Sequence, residues 1–527
     1  MSRLISVAGA VAGLLSAAVA MGVAQLVAGL TVPASSPVIA VGQEAIDLTP
    51  QPVKDFAIST FGTSDKNVLL GGILILLAAF AAWIGMLATR RLAYGLAGLG
   101  AFACVGLAAV LTRPDASPEW VLPTLAAAAV GAFTMMRLTR AATALGPPET
   151  PAPAPDSVFT LLPNPDEPAP RGPERRRFLV AGGIAVATTA VGVVGGRELA
   201  ERYNVAKARA GLRFPAPAVA APPLPRGAEL GIRGLSSFIT PNDNFYRVDT
   251  ALLLPEVDPA SWQLRIHGMV RREVRLTFGE LLKRPLIEDY VTLTCVSDPV
   301  SGPYVGNAKW LGASLPALIR QAGPLAGADQ LLCTSVDGFT SGTPLQVVLD
   351  GRDALLAVAM NGIALPVAHG FPARMVVPGL YGYVSATKWV TDIEVTTFGS
   401  AAAYWAVRGW ARQAPIKTES RIDVPSGGAS LSPGRTAVAG VAWAQHKGIG
   451  AVEVRVDSGP WQQARLAAVP GIDTWRQWVW EWDATPGRHT LAARATDATG
   501  YTQTAAQASP VPDGASGYPS VDVTVRT

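Results

Sequence analysis

The chain has 527 residues, several times a typical domain, and its 43 basic residues nearly balance its 39 acidic ones. The resulting net charge of +4 gives no electrostatic case for nucleic acid as the main partner. Charged residues make up 16% of the chain, well below the roughly 25% of ordinary soluble proteins, which indicates membrane segments.

Residues 1–140 contain four apolar runs that are candidate membrane spans. They are about Ile5–Leu30, Val68–Leu87, Leu92–Leu111 and Trp120–Met136. Because a bilayer core needs about 20 helical residues, we predict about four transmembrane helices here, the last being the shortest. Their many small residues favour close helix packing. No run carries an ionisable residue at mid-depth, which favours an anchor or scaffold over a transporter.

Basic residues predict the orientation of these spans. Lys and Arg are in excess on cytoplasmic loops, which places Arg3, the Arg90–Arg91 pair and the region of Arg137 and Arg140 in the cytoplasm. The acidic-leaning loops then lie outside: Glu44, Asp47, Asp55 and Asp65 in one, Asp115 and Glu119 in the other. Residues 141–177 hold ten prolines, so they are predicted to be an extended cytoplasmic linker.

Residues 178–196 are predicted to be a signal or anchor helix, because a moderately apolar run follows a basic stretch. The order Arg-Arg-x-Phe-Leu, with Arg175 and Arg176 as the pair, resembles the twin-arginine export motif. That motif would carry the following domain across the membrane already folded. The alternative is an ordinary fifth membrane helix. Both interpretations give a multi-pass protein of the cell membrane whose chain after Gly196 is extracytoplasmic.

The rest of the chain shows two different sequence patterns. Residues 225–400 mix short strands with helical pieces such as Phe278–Lys283 and Leu315–Ala322, which predicts an α+β domain. Residues 420–527 show only strands separated by regular turns, which predicts an immunoglobulin-like sandwich. Its tryptophans are predicted to fill the core or an interface: Trp475, Trp478, Trp480 and Trp482. No GxGxxG or Walker sequence is present, so no nucleotide is predicted.

Two constellations in the α+β domain could carry chemistry. Cys295 ends an apolar strand and precedes a loop rich in Gly, Ser and Pro, where a thiolate would suit a soft or redox-active metal. The alternative is a buried structural cysteine, as predicted for Cys104 and Cys333. His369, Arg374 and Lys388 share a glycine-rich stretch that would suit a phosphate, or would be a surface loop with scattered charges.

Four sequence blocks occur in an order typical of one enzyme family: PNDNFYR at 241–247, TCVSD with GNAKW around Cys295, MNGIALPVAHGFPARMVVPGLYG at 360–382, and TKW at 387–389. Residues 236–397 resemble the molybdopterin-binding domain of the sulfite oxidase family. Residues 420–527 resemble its C-terminal immunoglobulin-like dimerisation domain.

This resemblance implies a molybdenum cofactor (Mo-molybdopterin) with Cys295 as the single protein ligand of molybdenum. It also implies seven cofactor-binding residues: Asp243, Tyr246, Arg247, Ser335, His369, Arg374 and Lys388. The chain departs from true sulfite oxidases at three positions, Pro241 and Val300 where they have arginines and Trp410 where they have a tyrosine. The sequence therefore leaves open whether the substrate is sulfite, a related sulfur oxoanion or a sulfoxide.

The implied activity is two-electron oxygen-atom transfer. The chain has no CxxCH haem motif, and its first histidine is His267, so we predict no haem and expect a separate electron carrier, either a cytochrome or a quinone. The resemblance also implies a homodimer through the C-terminal domain. Two alternatives to the enzyme are a metal-free binding or adhesion module of the same fold and a transporter with an extracytoplasmic sensor.

Overall fold

A computed structural model describes residues 3–50, 53, 56, 60, 61, 65–113, 116–145 and 173–527. Most of the predicted linker at 141–177 lies outside these residues, as do the predicted extracytoplasmic positions Asp55 and Asp115. The chain forms two units. One comprises Met1–Asn204 with Ala251–Leu253, and the other comprises Val205–Thr250 with Leu254–Thr527.

The first unit is helical. Its α-helices are α1 (Arg3–Leu30), α2 (Pro37–Leu48), α3 (Asp65–Ala88), α4 (Leu92–Leu111), α5 (Leu122–Thr143) and α6 (Pro173–Ala200). Within the described residues, five spans are long and apolar enough to cross a membrane: Ile5–Leu30, Lys66–Ala88, Leu92–Leu111, Pro118–Thr143 and Arg175–Gly211. Helix α2 was not predicted. Helix α5 continues to Thr143, beyond the apolar run that predicted it, because basic residues are compatible with its last turns.

Helix α1 packs against α3, α5 and α6. Small residues allow this contact, as predicted: a Cβ atom on Gly192 of α6 would lie 2.5 Å from the backbone of Gly22 of α1. Cys104 of α4 is exposed on the unit's surface. The prediction that it is a packing residue was therefore wrong, because α4 turns this face outward.

The second unit begins with an α+β domain, as predicted. Its helices are α7 (Ala206–Gly211), α8 (Phe278–Leu282), α9 (Leu315–Ala322), α10 (Leu345–Leu349) and α11 (Gly382–Ser385). Its strands are β1 (Gln263–Gly268), β2 (Val274–Thr277), β3 (Leu286–Thr294), β4 (Val305–Ser314), β5 (Gln330–Ser335), β6 (Thr340–Pro344), β7 (Leu355–Met360), β8 (Ile363–Ala364), β9 (Arg374–Val376) and β10 (Val390–Thr396).

These strands form two five-stranded sheets. One has the order β2-β1-β10-β5-β6, in which β1 and β10 run parallel, and the other has the order β3-β4-β7-β8 with β9 beside β7. Buried apolar side chains from both sheets fill the core, for example Leu264, Ile393 and Leu356. Strand β4, which contains the GNAKW motif, is buried along nearly its whole length. It was not predicted as a strand.

The C-terminal part of this unit contains two sheets. Its strands are β11 (Glu419–Val424), β12 (Ser430–Leu431), β13 (Gly434–Trp443), β14 (Ile449–Val456), β15 (Gln462–Gln463), β16 (Arg465–Leu466), β17 (Arg476–Ala484), β18 (Gly487–Asp497) and β19 (Ser520–Val525). The orders are β11-β13-β17-β16 and β12-β19-β18-β14-β15. Both sheets contribute to one apolar core, in which Trp478 and Trp482 are buried as predicted.

Candidate functional site

Cys295 directly follows β3, in the loop that joins β3 to β4. Its backbone amide donates to the carbonyl of Tyr304 over 2.9 Å, and the Asp298 carboxylate accepts the Tyr304 amide, also over 2.9 Å. These two bonds fix the loop. The buried Sγ of Cys295 lies 3.0 Å from the Ser297 hydroxyl. Burial raises the pKa of the Cys295 thiol, so it keeps its proton at neutral pH unless a metal cation replaces it.

A glycine turn brings three basic residues together. The short helical turn Val367–His369 ends at Gly370, whose φ is +106°. A Cβ atom there would lie 3.0 Å from the Cβ atoms of both Arg374 and Lys388. Glycine therefore permits both the left-handed backbone and the close approach. His369, Arg374 and Lys388 all border this turn, so the surface-loop alternative does not describe them.

His369 is a buried, neutral hydrogen-bond donor. Its Nε2 atom lies 3.1 Å from the carbonyl oxygen of Asn242, which can only accept, so Nε2 carries the proton. Burial, with a further contribution from the nearby Arg374 guanidinium, lowers the pKa of His369 to about 4. The imidazole is therefore uncharged at neutral pH.

Arg374 is a buried cation with no carboxylate partner among the described residues. Its guanidinium donates to three backbone carbonyls, those of His369 at 3.1 Å, Ala386 at 3.2 Å and Met375 at 3.4 Å. It also lies over the Trp310 ring, 5.0 Å from the ring centroid. Burial lowers the pKa of Arg374 to about 10, so it remains charged at neutral pH. A buried charge in this position favours an anionic ligand.

Lys388 differs from Arg374 because it has an acidic partner, which was not predicted from the sequence. Its Nζ donates to the buried Asp249 carboxylate over 2.9 Å, and Arg247 donates to the same carboxylate over 2.7 Å. Burial lowers the pKa of Lys388 to about 8, against the opposing effect of Asp249. Asp249 thus joins Arg247 to Lys388, and an isolated acid two residues after Arg247 gives no sequence signal of that role.

The remaining predicted residues lie in different surroundings. Ser335 ends β5 opposite Val390 of β10, and its buried hydroxyl has no hydrogen-bond partner in the described part of the chain. The Tyr246 ring stacks on Phe245, and burial raises the pKa of its phenol well above the ordinary value. Asp243 is exposed in the turn Asn242–Asn244. No described contact joins it to the basic residues.

Tyr246 connects the two constellations. Its ring lies 6.4 Å from that of Tyr304, whose carbonyl accepts the Cys295 amide. On the other side it stacks on Phe245, which packs edge-on against the Trp310 ring that Arg374 covers. Cys295 and Arg374 therefore border a common region. Cys333, in contrast, is buried within β5, where burial raises the pKa of its thiol to about 12. This agrees with its predicted role as a packing residue.

These residues fit a molybdenum–pterin cofactor. Cys295 provides a soft sulfur donor, and, among the described residues, the buried Arg374 cation has no anionic partner and the buried Ser335 hydroxyl has no hydrogen-bond partner. A molybdenum centre needs the first, and a pterin phosphate would satisfy the other two.

Beside Cys295 the structure has a small pocket of about 20 Å³. Its lining includes Asp298, Val300, Tyr381, Glu419 and Trp443, so both the α+β domain and the C-terminal strands contribute to it. Burial raises the pKa of Asp298 to about 6 and that of Glu419 to about 8. Glu419 and Trp443 were not predicted as site residues, because strand patterns predict burial but not which loop the strand ends will meet.

Comparison with known proteins identifies the domain. Residues 251–405 match the family model described as an oxidoreductase molybdopterin binding domain. Sulfite oxidase of Gallus gallus is 31% identical over 296 residues, which are 47% of this chain and 63% of that protein. Mitochondrial sulfite oxidase of Mus musculus is 29% identical over 288 residues, or 46% and 52%. The chain thus spans between half and two thirds of the length of these relatives.

Two further proteins that match are not named as sulfite oxidases. Nitrate reductase [NAD(P)H] of Hordeum vulgare is 32% identical over 209 residues, which are 35% of this chain and 23% of that protein. The crystal structure of the sulfane dehydrogenase SoxCD from Paracoccus pantotrophus aligns with a TM-score of 0.46 and 24% identity, covering 52% of this chain and 75% of that one. Cys295, Ser335, His369, Arg374 and Lys388 lie within the matched domain. The chain therefore contains an oxidoreductase molybdopterin-binding domain and is similar to sulfite oxidases.

Proposed function

We propose that this protein is a membrane-anchored oxidoreductase that uses a molybdenum cofactor for two-electron oxygen-atom transfer. The observation that carries the proposal is the Cys295 thiol in a region shared with Arg374, a buried cation without a carboxylate partner in the described chain. When bound, the cofactor supplies the two-electron change that accompanies movement of one oxygen atom.

The chain's own residues would hold and orient this group. The Cys295 thiolate would bind molybdenum, while Arg374 and Ser335 would contact the anionic pterin substituent. Neutral His369 would be a second hydrogen-bonding side chain, because its Nε2 proton already points to Asn242 and leaves Nδ1 as an acceptor. Lys388 would be kept in place by Asp249. Asp243, which is exposed, is the weakest member of the predicted set.

We also propose an extracytoplasmic location. Five spans of sufficient length and apolarity support membrane anchoring, and the Arg175–Arg176 pair at the start of α6 supports export of the folded, cofactor-loaded domain. The electrons would pass to or from a separate cytochrome or a quinone. The two C-terminal sheets with a shared core support an immunoglobulin-like sandwich, through which a homodimer would form.

Metal and pterin analysis of the detergent-purified protein tests the proposal. The parent should contain about one molybdenum per chain, and Cys295→Ser should lose the cysteine's contribution to the metal–sulfur signal in X-ray absorption. Cys333→Ser is the matched control, since it removes a buried thiol that lies in the core of β5. Well-folded parent protein without molybdenum or pterin, from cells that make the cofactor, would refute the enzyme and favour a binding module.

A further inference from the structure

The pocket beside Cys295 has hydrogen-bonding groups but no basic residue. Among the described residues that line it are the Asp298 and Glu419 carboxyl groups, the Tyr381 phenol and the Trp443 indole, and no Lys or Arg. A volume of about 20 Å³ holds little more than one water-sized group, which needs roughly 10–15 Å³. Only a small part of a substrate, such as an oxo group, would enter.

Arg374, which we assign to the cofactor, does not line the pocket. The two basic residues that act electrostatically on the pocket carboxyl groups have other partners. Arg421 pairs with Asp423 and also donates to the Gly302 carbonyl and the Ser236 hydroxyl. Lys417 pairs with Asp513 and donates to the Gly514 carbonyl. Neither cation is therefore available to neutralise a dianion that enters the pocket. A sulfite or sulfate ion would lose its water there without gaining a counter-charge.

Trp443 offers the pocket a free donor. The residue is 4% exposed, and its indole Nε1–H has no hydrogen-bond partner in the described part of the chain. Buried donors are rarely left unpaired, and an exception points to a missing partner. Since Trp443 is one of the residues that line the pocket, an oxygen atom of a ligand would be that partner.

The C-terminal strands fix this arrangement. Trp443 ends β13 directly opposite Glu419 of β11. The Glu419 carboxylate accepts from the Gln503 side-chain amide over 2.8 Å, and the Gln503 carbonyl accepts in turn from Ser420 and from the Ala495 amide. This network holds Glu419 in place beside Trp443. At neutral pH its raised pKa leaves it mostly protonated and uncharged.

We propose that this pocket receives the oxo group of an uncharged substrate, that Trp443 donates a hydrogen bond to that oxygen, and that sulfite and similar dianions are not its ligands. This inference rests on the proposed function, because it places the pocket beside the metal ligand. Dimethyl sulfoxide and sulfate are a suitable pair of probes. Both present oxygen atoms bound to sulfur, and only sulfate is a dianion.

The test compares four full-length, detergent-purified proteins: the parent, Trp443→Phe, Trp478→Phe and Val300→Arg. Trp478 is the matched control, because its indole N–H is also buried without a described partner but lies in the sandwich core, away from the pocket. Binding of dimethyl sulfoxide is measured by saturation-transfer NMR of its methyl protons, with sulfate as the competitor. This readout does not depend on turnover.

We expect Trp443→Phe to weaken dimethyl sulfoxide binding by roughly tenfold, the value of about one hydrogen bond, and Trp478→Phe to leave it unchanged. Sulfate should not displace the sulfoxide from the parent but should do so from Val300→Arg, which adds a cation to the pocket lining. Unchanged sulfoxide binding in Trp443→Phe, or tighter binding of sulfate than of sulfoxide to the parent, would overturn the inference.

Molybdenum analysis of the same samples separates the two proposals. Parent protein that lacks the metal refutes the proposed function, whereas the sulfate competition still reports the charge preference of the pocket. Parent protein that contains the metal but binds sulfate preferentially refutes only the inference about the substrate class.

Discussion

Replacing Arg374 by methionine tests the cofactor site most directly. Methionine has a similar length and no charge, so it removes the buried guanidinium while filling much of its volume. We expect Arg374→Met to fold and to lose the molybdenum cofactor. The reason is that Arg374 lacks a carboxylate partner among the described residues, so its charge is available for an anion.

The magnitude follows from the depressed pKa. Burial lowers the pKa of Arg374 from its ordinary value to about 10, and each pKa unit corresponds to about 1.36 kcal/mol. At pH 7 the guanidinium is charged in both the folded and the unfolded protein, so the folded apoprotein carries the full penalty of about 3 kcal/mol. An anion that relieves this penalty would gain roughly 100-fold in affinity. The variant should therefore bind the cofactor at least that much more weakly.

The assay combines metal analysis after exhaustive dialysis with chemical unfolding of apoprotein from cells that cannot make the cofactor. In Arg374→Met, removing the buried charge stabilises the apoprotein, whereas losing three hydrogen bonds to carbonyls destabilises it. We therefore expect the unfolding free energy of the apoprotein to lie within about 2 kcal/mol of the parent value. Lys388→Met is the comparison. Because it removes the Lys388 ammonium from the buried Asp249 carboxylate, the apoprotein should lose about 1–3 kcal/mol. Arg374→Met that retains molybdenum at the parent level would refute the reasoning.

Three further predictions concern other parts of the chain. Ser335→Ala should change apoprotein stability by less than about 0.5 kcal/mol, because the hydroxyl has no described partner to lose. The same change should lower molybdenum retention on dialysis. A larger loss of stability would show that the hydroxyl has a hydrogen-bond partner within the protein. Changing Arg175 and Arg176 together to lysine should leave the C-terminal domain protease-protected inside spheroplasts, whereas an ordinary fifth helix would still export it. For Glu419→Gln, the gain in unfolding free energy over the parent should grow from about pH 4.5 to pH 8 and reach about 3 kcal/mol at pH 7, measured by urea unfolding. The buried acid has a pKa of about 8 in the folded protein and 4.5 in the unfolded protein, so the parent loses stability as pH rises through that window. Equal stability of the parent and the variant at all pH values would contradict this reasoning.

Periodicity predicted most of the individual elements. The apolar runs at 5–30 and 92–111 reappear as α1 and α4, and the helical piece Leu315–Ala322 as α9. The alternating tryptophans of β17 pack as their period predicted, with Trp478 and Trp482 buried. Strand β4 was not predicted, because Gly, Asn and Lys interrupt its apolar pattern. Strand β7 was not predicted either, because an entirely buried strand such as LLAVAM has no alternation of apolar and polar residues.

The site was predictable only where one short segment supplies it. His369, Arg374 and Lys388 lie within 20 residues, and a single glycine turn suffices to bring them together. Asp249, which holds Lys388, comes from 139 residues away in the chain, and nothing in its neighbourhood indicates a buried acid. A local pattern reveals the basic residues, but their counter-charges depend on tertiary contacts that the pattern does not contain.

The pocket beside Cys295 illustrates the same limit with a consequence for function. The departure at Val300 is visible in the sequence, but its effect depends on what else faces the same space. The structure supplies Glu419 and Trp443 from paired strands more than 100 residues further along the chain. A missing arginine alone could be replaced by a basic residue from elsewhere. Here Arg421 and Lys417 have other partners, and an acid and an indole line the pocket instead. The substrate preference that we propose therefore depends on the C-terminal strands as well as on the proposed cofactor-binding domain.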